Sequence, residues 1–344
     1  MEFLNEKALL PEYVPDKLPG REKEIEEIAY NIRLALDGRK PENMLIYGPP
    51  GTGKTVVLRY VMEKLSEFSG KVRIVYINCW HSGTRYGVFS EIAHHIGYIA
   101  PMRGTAIEDV IKRVVEISNK KNLFIVVVLD EMDRLVASGH GDVLYDLNRL
   151  NENYKMKMSV ISIVNDIGLV SVLDSRIRSS MINRDVEFKP YTVPQLKKIL
   201  EERARIALSG YSEDAIGLCA AHAYKVGGDA RLAINLLLTA SRIAEKEDAK
   251  MLDVDHVRKA IEMKGSLRKC EKSDVVLDEN EKLIVSYIKE NGEVKSGDLY
   301  KRFGKINERS MRNYLKRLED SGIIETVPAK GRGRSRIIYL AKSD

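Results

Sequence analysis

Up to Pro190 the chain alternates two rhythms of apolar spacing. Short, nearly unbroken apolar runs read as strands: MLIYG (Met44–Gly48), VRIVYINC (Val72–Cys79), FIVVVLDE (Phe124–Glu131) and SVISIVND (Ser159–Asp166). DVEFKPY (Asp185–Tyr191) reads as a fifth. Runs without polar alternation belong to strands covered on both faces, as in a parallel sheet. Between them lie segments such as AIEDVIKRVVEISNK, with apolar residues three and four apart, the spacing of an amphipathic helix. Strands and helices in alternation predict an open α/β sheet.

After Pro190 the strand signals stop. YTVPQLKKILEERARIAL, SEDAIGLCAAHAYKVGG, DARLAINLLLTASRIAEKE and DVDHVRKAIEMKG read as four helices ending near Gly265, with Asp and Ser at plausible caps and glycines at several ends. SLRKCEKSD reads as a polar linker. From Leu277 to Leu340 the pattern is helix, helix, helix and two strands: NEKLIVSYIKENG, SGDLYKRFGK, NERSMRNYLKRLEDSG, then IIETVPA and SRIIYLA around the tip KGRGRSR. The expected domains are an α/β core over residues 1–190, an all-helical lid over 191–270 and a third domain over 271–344.

Composition narrows the setting. No apolar run approaches the ~20 residues of a membrane helix. MEFLNEKALL carries early acidic residues and does not read as an export signal. Cys79, Cys219 and Cys270 lie far apart, make no metal spacing or disulfide framework, and suit a reducing cytosol, so a cytoplasmic protein is expected. The formal charge is +6, and it is uneven. From Ser296 to Asp344 there are 12 Lys/Arg against 6 Asp/Glu, a difference equal to the whole chain's 56 against 50. The excess positive charge therefore sits at the carboxyl end, as a polyanion-binding module would have it.

The chemistry begins at GPPGTGKT, which fits the phosphate-loop pattern between a strand and a helix. Gly48, Gly51 and Gly53 let the backbone through Pro49, Pro50 and Thr52 curl its N–H groups toward a β-phosphate, and the helix entered at Thr55 and Val56 adds its positive end. Lys54 spans β- and γ-phosphates, and the Thr55 hydroxyl ligates Mg²⁺. FIVVVLDEMD ends a buried strand in Asp130, a carboxylate for the metal, and Glu131, which can polarise an attacking water. The pair predicts an ATPase rather than a kinase. Asn165, at the end of SVISIVND, can hold the lytic water without adding charge. In LDSRIRSSM, Arg176 and Arg178 could reach a neighbouring subunit's γ-phosphate, and Arg231 in GGDARLAINLL could swing onto it from the helical region.

Together these residues resemble the AAA+ ATPases, with a helical lid after the α/β core. VPDKLPGREKEIEEI is similar to that family's adenine-side segment, which implies base contacts around Val14 and the turn Leu18-Pro19-Gly20-Arg21. LDSRIRSSM resembles the box carrying the arginine finger, mapped onto Arg176, and GDARLAINLL resembles the second-sensor helix, mapped onto Arg231. With a winged helix at the end, the combination resembles the archaeal Orc1/Cdc6 replication initiators along nearly the whole chain. That family carries a helical insertion that touches origin DNA; GTRYGVFSEIAHHIGYIAPMRG (Gly83–Gly104), with Arg85 and Arg103, is the candidate here. His94 and His95 inside it, without acidic partners nearby, read as packing or surface residues.

In the carboxyl-terminal module Met311, Leu315 and Leu318 share the buried side of the third helix. Arg309, Arg312, Asn313 and Lys316 fall largely on other faces, as a helix seated in a major groove requires. Gly331 and Gly333 let the hairpin tip approach DNA, with Arg332, Arg334 and Arg336 for phosphate or groove contacts.

The expected protein is an ATP/ADP- and Mg²⁺-binding initiator on double-stranded origin DNA, acting with an MCM-type replicative helicase and other initiator subunits and without a membrane. The resemblance implies slow turnover, with ATP as a switch. Another AAA+ DNA enzyme, of clamp-loader or branch-migration type, and an ATP-sensing winged-helix transcription regulator remain open alternatives.

Overall fold

In a computed structural model of the chain the described residues are 1–66, 70–101, 105–168, 175, 178, 183–273, 278–304, 306–320, 323–328 and 336–340. They form two compact units, Met1–Lys259 and Ala260–Asp344. Among the described residues no helix is long and apolar enough to cross a membrane.

The first unit is organised by a five-stranded sheet of β1 (Met44–Tyr47), β2 (Val72–Asn78), β3 (Phe124–Asp130), β4 (Met158–Val164) and β5 (Arg184–Glu187). Their spatial order is β2-β3-β4-β1-β5, and every pairing is parallel. Each residue of β3 and β4 is buried, which is why these strands read as nearly unbroken apolar runs. Successive side chains serve opposite faces. Ile125, Val127 and Leu129 pack with Val88 and Phe89 of α3 (Arg85–His95), Val114 of α4 (Ile107–Lys120) and Leu147 of α6 (Asp142–Tyr154). Phe124, Val126 and Val128 pack on the other face with Ile28 and Ile32 of α1 (Glu22–Leu36) and Leu58 and Val61 of α2 (Lys54–Ser66). Each fully buried aliphatic side chain contributes about 1.5–3 kcal/mol. The short α5 (Met132–Ala137) follows β3 directly.

β5 is shorter than its sequence pattern suggests. The Phe188 N–H still donates to Tyr47 O at 2.7 Å, but Pro190 has no N–H to give, and the Tyr191 N–H donates to Gly228 O at 3.2 Å instead. The chain there leaves the sheet for the helices α7 (Val193–Ala207), α8 (Glu213–Lys225), α9 (Ala230–Lys246) and α10 (Val254–Ser273). Asp229 caps α9, accepting from the Arg231 and Leu232 N–H groups at 2.7 and 3.1 Å. α10 does not stop at Gly265; its backbone runs helical to Ser273, through the segment expected as a linker. One glycine in a helix costs only about 1 kcal/mol, and Leu, Arg, Lys and Glu beyond it favour the helix.

The second unit holds α11 (Glu279–Asn291), β6 (Glu293–Lys295), α12 (Ser296–Arg302), α13 (Glu308–Asp320), β7 (Ile324–Pro328) and β8 (Arg336–Leu340). The strands pair antiparallel in the order β6-β8-β7. Three helices with a three-stranded sheet in this order make a winged helix. β6 was not expected, since three residues carry too little alternation to register as a strand. Met311, Leu315 and Leu318 of α13 are buried with Ile284, Ile288, Leu299 and Ile338, as the helical spacing predicts.

Candidate functional site

The chain leaves β1 through α2 for β2 at the far edge, and β4 lies between β1 and β3. The carboxyl ends of β1, β4 and β3 therefore open onto one crevice, where a doubly wound sheet accepts its ligand. The loop between β1 and α2 fills its floor. Gly48 has φ +147° and Gly51 φ +74°. A Cβ on Gly48 would overlap Phe188 O, and one on Gly51 would overlap the Asp229 carboxylate. Lys54 is 6% exposed; its Nζ donates to Gly48 O at 2.6 Å and Pro49 O at 2.9 Å. Burial, and then the Arg231 guanidinium, pull the Lys54 pKa down to about 8.

Facing the loop, the Thr55 hydroxyl donates to Asp130 Oδ2 at 2.9 Å, and the Tyr76 hydroxyl donates to the same oxygen at 2.5 Å. Asp130 Oδ1 accepts from the Glu131 N–H at 3.0 Å. Glu131 adopts a left-handed conformation, φ +56°, at the turn from β3 into α5. Such a conformation costs a non-glycine residue on the order of 1–3 kcal/mol and is characteristic of functional sites. Glu131 Oε2 is buried without a hydrogen-bond partner. Burial, followed by the neighbouring Asp130 charge, raises the Glu131 pKa.

Asp133 was missed by the sequence reading, although it stands three residues after Asp130 in the same acidic run. Its Oδ2 accepts the Asn165 N–H at 2.8 Å, tying the end of β4 to α5. Its Oδ1 is buried and unpartnered, and burial raises its pKa. Trp80 and Arg134 were also missed. The Arg134 guanidinium lies 3.5 Å from the centre of the Trp80 ring, a stack between α5 and the turn after β2 that no local pattern announces.

A cleft of about 440 Å³ brings together Lys54, Thr55, Asp130, Glu131, Asn165 and Arg231. A second, of about 670 Å³, continues from the same loop between core and lid. Val14, Leu18, Pro19 and Val56 line it, with Ile199, Ile234 and Leu238 opposite. Pro50, Gly51 and Gly53 are on the clefts, whereas Gly20, Arg21, Gly48, Pro49 and Thr52 line neither. Arg21 sits behind the loop, 3% exposed. Its Nε donates to Thr52 O at 2.9 Å, Nη1 pairs with Glu24 at 2.6 Å, and its guanidinium lies over Phe188 and Tyr191. Its geometry braces the loop from the rear.

Arg176 lies outside the described residues; Arg178 is exposed. Arg85 pairs with Asp146 at 2.6 Å and Glu108 at 3.0 Å, and Val88, Phe89, Ile92 and Ala93 are buried, so α3 is anchored in the core; Arg103 is outside the described residues. Glu91 does stand beside His94 and His95, with ligand atoms within 4.8 Å of one another, correcting the expectation that they lack an acidic neighbour. In the second unit Arg312, Asn313, Lys316 and Arg336 are exposed. Arg332, Arg334 and the Arg309 side chain lie outside the described residues.

Comparison with known proteins agrees with this fold. The AAA domain family matches residues 38–170, and the Cdc6 AAA+ ATPase-type lid domain matches residues 197–262. The ORC1-type DNA replication protein of Thermococcus kodakarensis is 36% identical, over 98% of this chain and 88% of its own length. The chain belongs to the ORC1-type DNA replication proteins. The ORC1-type DNA replication protein 1 of Sulfurisphaera tokodaii is 40% identical over 75% of this chain and 66% of its own. Among solved structures, the Aeropyrum pernix ORC1 protein in complex with DNA is similar at TM-score 0.79 and 33% identity, covering 99% of this chain and 94% of that one. As an ORC1-type AAA+ ATPase, the chain is a nucleotide-binding replication protein.

Proposed function

We propose that this protein is an ATP-regulated replication initiator that binds double-stranded DNA at an origin and helps recruit or load an MCM-type helicase. The observation that carries the coupling is Arg231. It extends from the first turn of lid helix α9 and lines both clefts, so the lid meets the nucleotide at its phosphates. A triphosphate holds Arg231 and the lid against the loop, and a diphosphate releases them. In this reading ATP acts as a switch and hydrolysis is slow.

The residues fit the expected roles. Lys54 and the loop N–H groups hold the phosphates. Thr55, Asp130 and the unpartnered oxygens of Glu131 and Asp133 form an all-oxygen donor set of the kind Mg²⁺ takes. Thr55 and Asp130 would hold the ion, which supplies charge neutralisation at the β- and γ-phosphates. Glu131 accepts the proton of the attacking water, its raised pKa bringing it closer to working pH. Asn165 orients that water. Arg176 acts across a subunit interface, in company with other initiator subunits. Val14, Leu18, Pro19 and Val56 face the adenosine.

The proposed domain limits are those of the sequence reading, residues 1–190, 191–270 and 271–344. For DNA, α13 offers Arg312, Asn313 and Lys316 on its exposed side, as a groove-reading helix would, and β8 offers Arg336. The basic excess of the last 49 residues supports phosphate contact there. The relative's DNA complex supports the same assignment. The protein is proposed to work in the cytoplasm, on the nucleoid.

Genome-wide mapping of bound sites, with footprints on the strongest one in ATP and in ADP, tests this reading. Occupancy centred on a replication origin, with a footprint that changes with nucleotide, is expected. Occupancy confined to promoters, or an identical footprint in both nucleotides, would overturn it.

A further inference from the structure

The first residues of the chain are fastened to the lid rather than to the sheet. The Glu2 N–H donates to Ser209 Oγ at 2.9 Å, and the Leu4 N–H donates to Ala207 O at 2.8 Å. The Glu6 carboxylate pairs with Arg242 of α9 at 2.7 Å. Ala8 and Leu9 are buried. From Leu9 to Pro19 the same segment walls the base-side cleft, and it then enters α1 of the core. It is a strap joining lid to core along one wall of the base-side cleft.

Arg203 of α7 holds the joint. It is 7% exposed, and it lines the same cleft. Its Nη1 donates to Ala8 O at 2.6 Å and its Nη2 to Tyr13 O at 3.1 Å. Its guanidinium lies 4.8 Å from the centre of the Tyr13 ring. The acceptors are neutral carbonyls, an expensive way to bury a cation, and burial accordingly lowers the Arg203 pKa. The planar fork reaches two turns of the strap at once, which a point charge does not do.

We infer that Arg203 is the positioning residue that locks the amino-terminal strap over the nucleoside of the bound nucleotide and so sets how slowly nucleotide leaves. The inference rests on the reading of these clefts as the nucleotide site. The phosphates enter at the loop, but the base lies between strap, lid and core, and leaves when the strap parts from the lid. Arg203 acts on the base end alone. Inorganic tripolyphosphate, which occupies only the loop, is indifferent to it.

The test uses the full chain and the fluorescent analogue mant-ADP, chased with excess unlabelled ADP, in wild type, Arg203→Ala, Arg203→Lys and Lys54→Ala. Release is expected to quicken about tenfold or more in Arg203→Ala, the equivalent of roughly one lost charge-assisted hydrogen bond, with Arg203→Lys intermediate. Tripolyphosphate affinity, read by competition, is expected to stay at the wild-type value. Unchanged release from a folded Arg203→Ala protein overturns the inference. So does an equal loss of tripolyphosphate binding, which makes Arg203 a general support of the fold. If Arg203→Ala does not fold, Glu6→Gln loosens the same strap from a half-exposed position; release two- to threefold faster supports the lock, and unchanged release overturns it. Failure of wild type to bind mant-ADP, or wild-type binding by Lys54→Ala, instead removes the nucleotide-site reading itself.

Discussion

The Ala230 N–H donates to the Gly51 carbonyl oxygen at 3.1 Å. One hydrogen bond thus joins the phosphate loop to the first turn of lid helix α9, one residue before Arg231. Gly51 stands at φ +74° with the Asp229 carboxylate against its α-carbon. Gly51→Ala therefore meets two obstacles, a left-handed backbone costing about 1–2 kcal/mol and an occupied Cβ position. A lower unfolding midpoint is expected, together with loss of the further rise that ADP is expected to produce in wild type. Melting curves with and without ADP measure both.

Lys54 gives a pH signature. In the free protein its pKa is lowered to about 8 by burial and by Arg231, and a polyphosphate beside it raises that value again. Above about pH 8 nucleotide binding must then take up a proton. Affinity is expected to fall by up to about tenfold per pH unit above that point and to be flat, as far as this group is concerned, below pH 7. Calorimetry in buffers of differing ionisation enthalpy counts the proton directly; no uptake at pH 8.5 would contradict the shift.

Asp133 and Glu131 should separate binding from turnover. Asp133→Ala leaves the Asn165 N–H without its acceptor, a loss of about 1–3 kcal/mol, and is expected to slow hydrolysis at least about tenfold while ADP binding persists. Asp133→Asn keeps an oxygen for that N–H and should lie closer to wild type. Glu131→Gln is expected to bind ATP and not hydrolyse it. Single-turnover rates beside equilibrium titrations distinguish the three, and wild-type hydrolysis in Glu131→Gln removes that residue from the mechanism.

Lys316 is exposed on α13. If that face lies on duplex phosphates, Lys316→Ala should weaken DNA binding across sequences and reduce the slope of log affinity against log salt by up to about one. A slope equal to wild type would take Lys316 off the phosphate backbone.

The sheet was legible because its strands are covered on both faces, so Phe124–Leu129 is wholly apolar and Met158–Val164 is broken only by Ser159 and Ser162. The phosphate loop was legible because close backbone approach demands glycine at fixed spacing. What escaped notice depends on contacts between distant residues. Arg203 and Ala8 are 195 positions apart, and neither has a local pattern to mark it. Arg21 was expected at the base because its turn resembles an adenine-side segment, yet its guanidinium is taken up by Thr52 O and two aromatic rings behind the loop. β6 escaped because three residues give no period to read.

Trp80 is the sole tryptophan of the chain, and it is 57% exposed at the rim of the phosphate-side cleft under the Arg134 guanidinium. All indole emission of the protein therefore originates at the rim of this cleft. A charge arriving in that cleft changes the field and the solvent around one fluorophore only, so the unlabelled protein carries an optical gauge of its own occupancy.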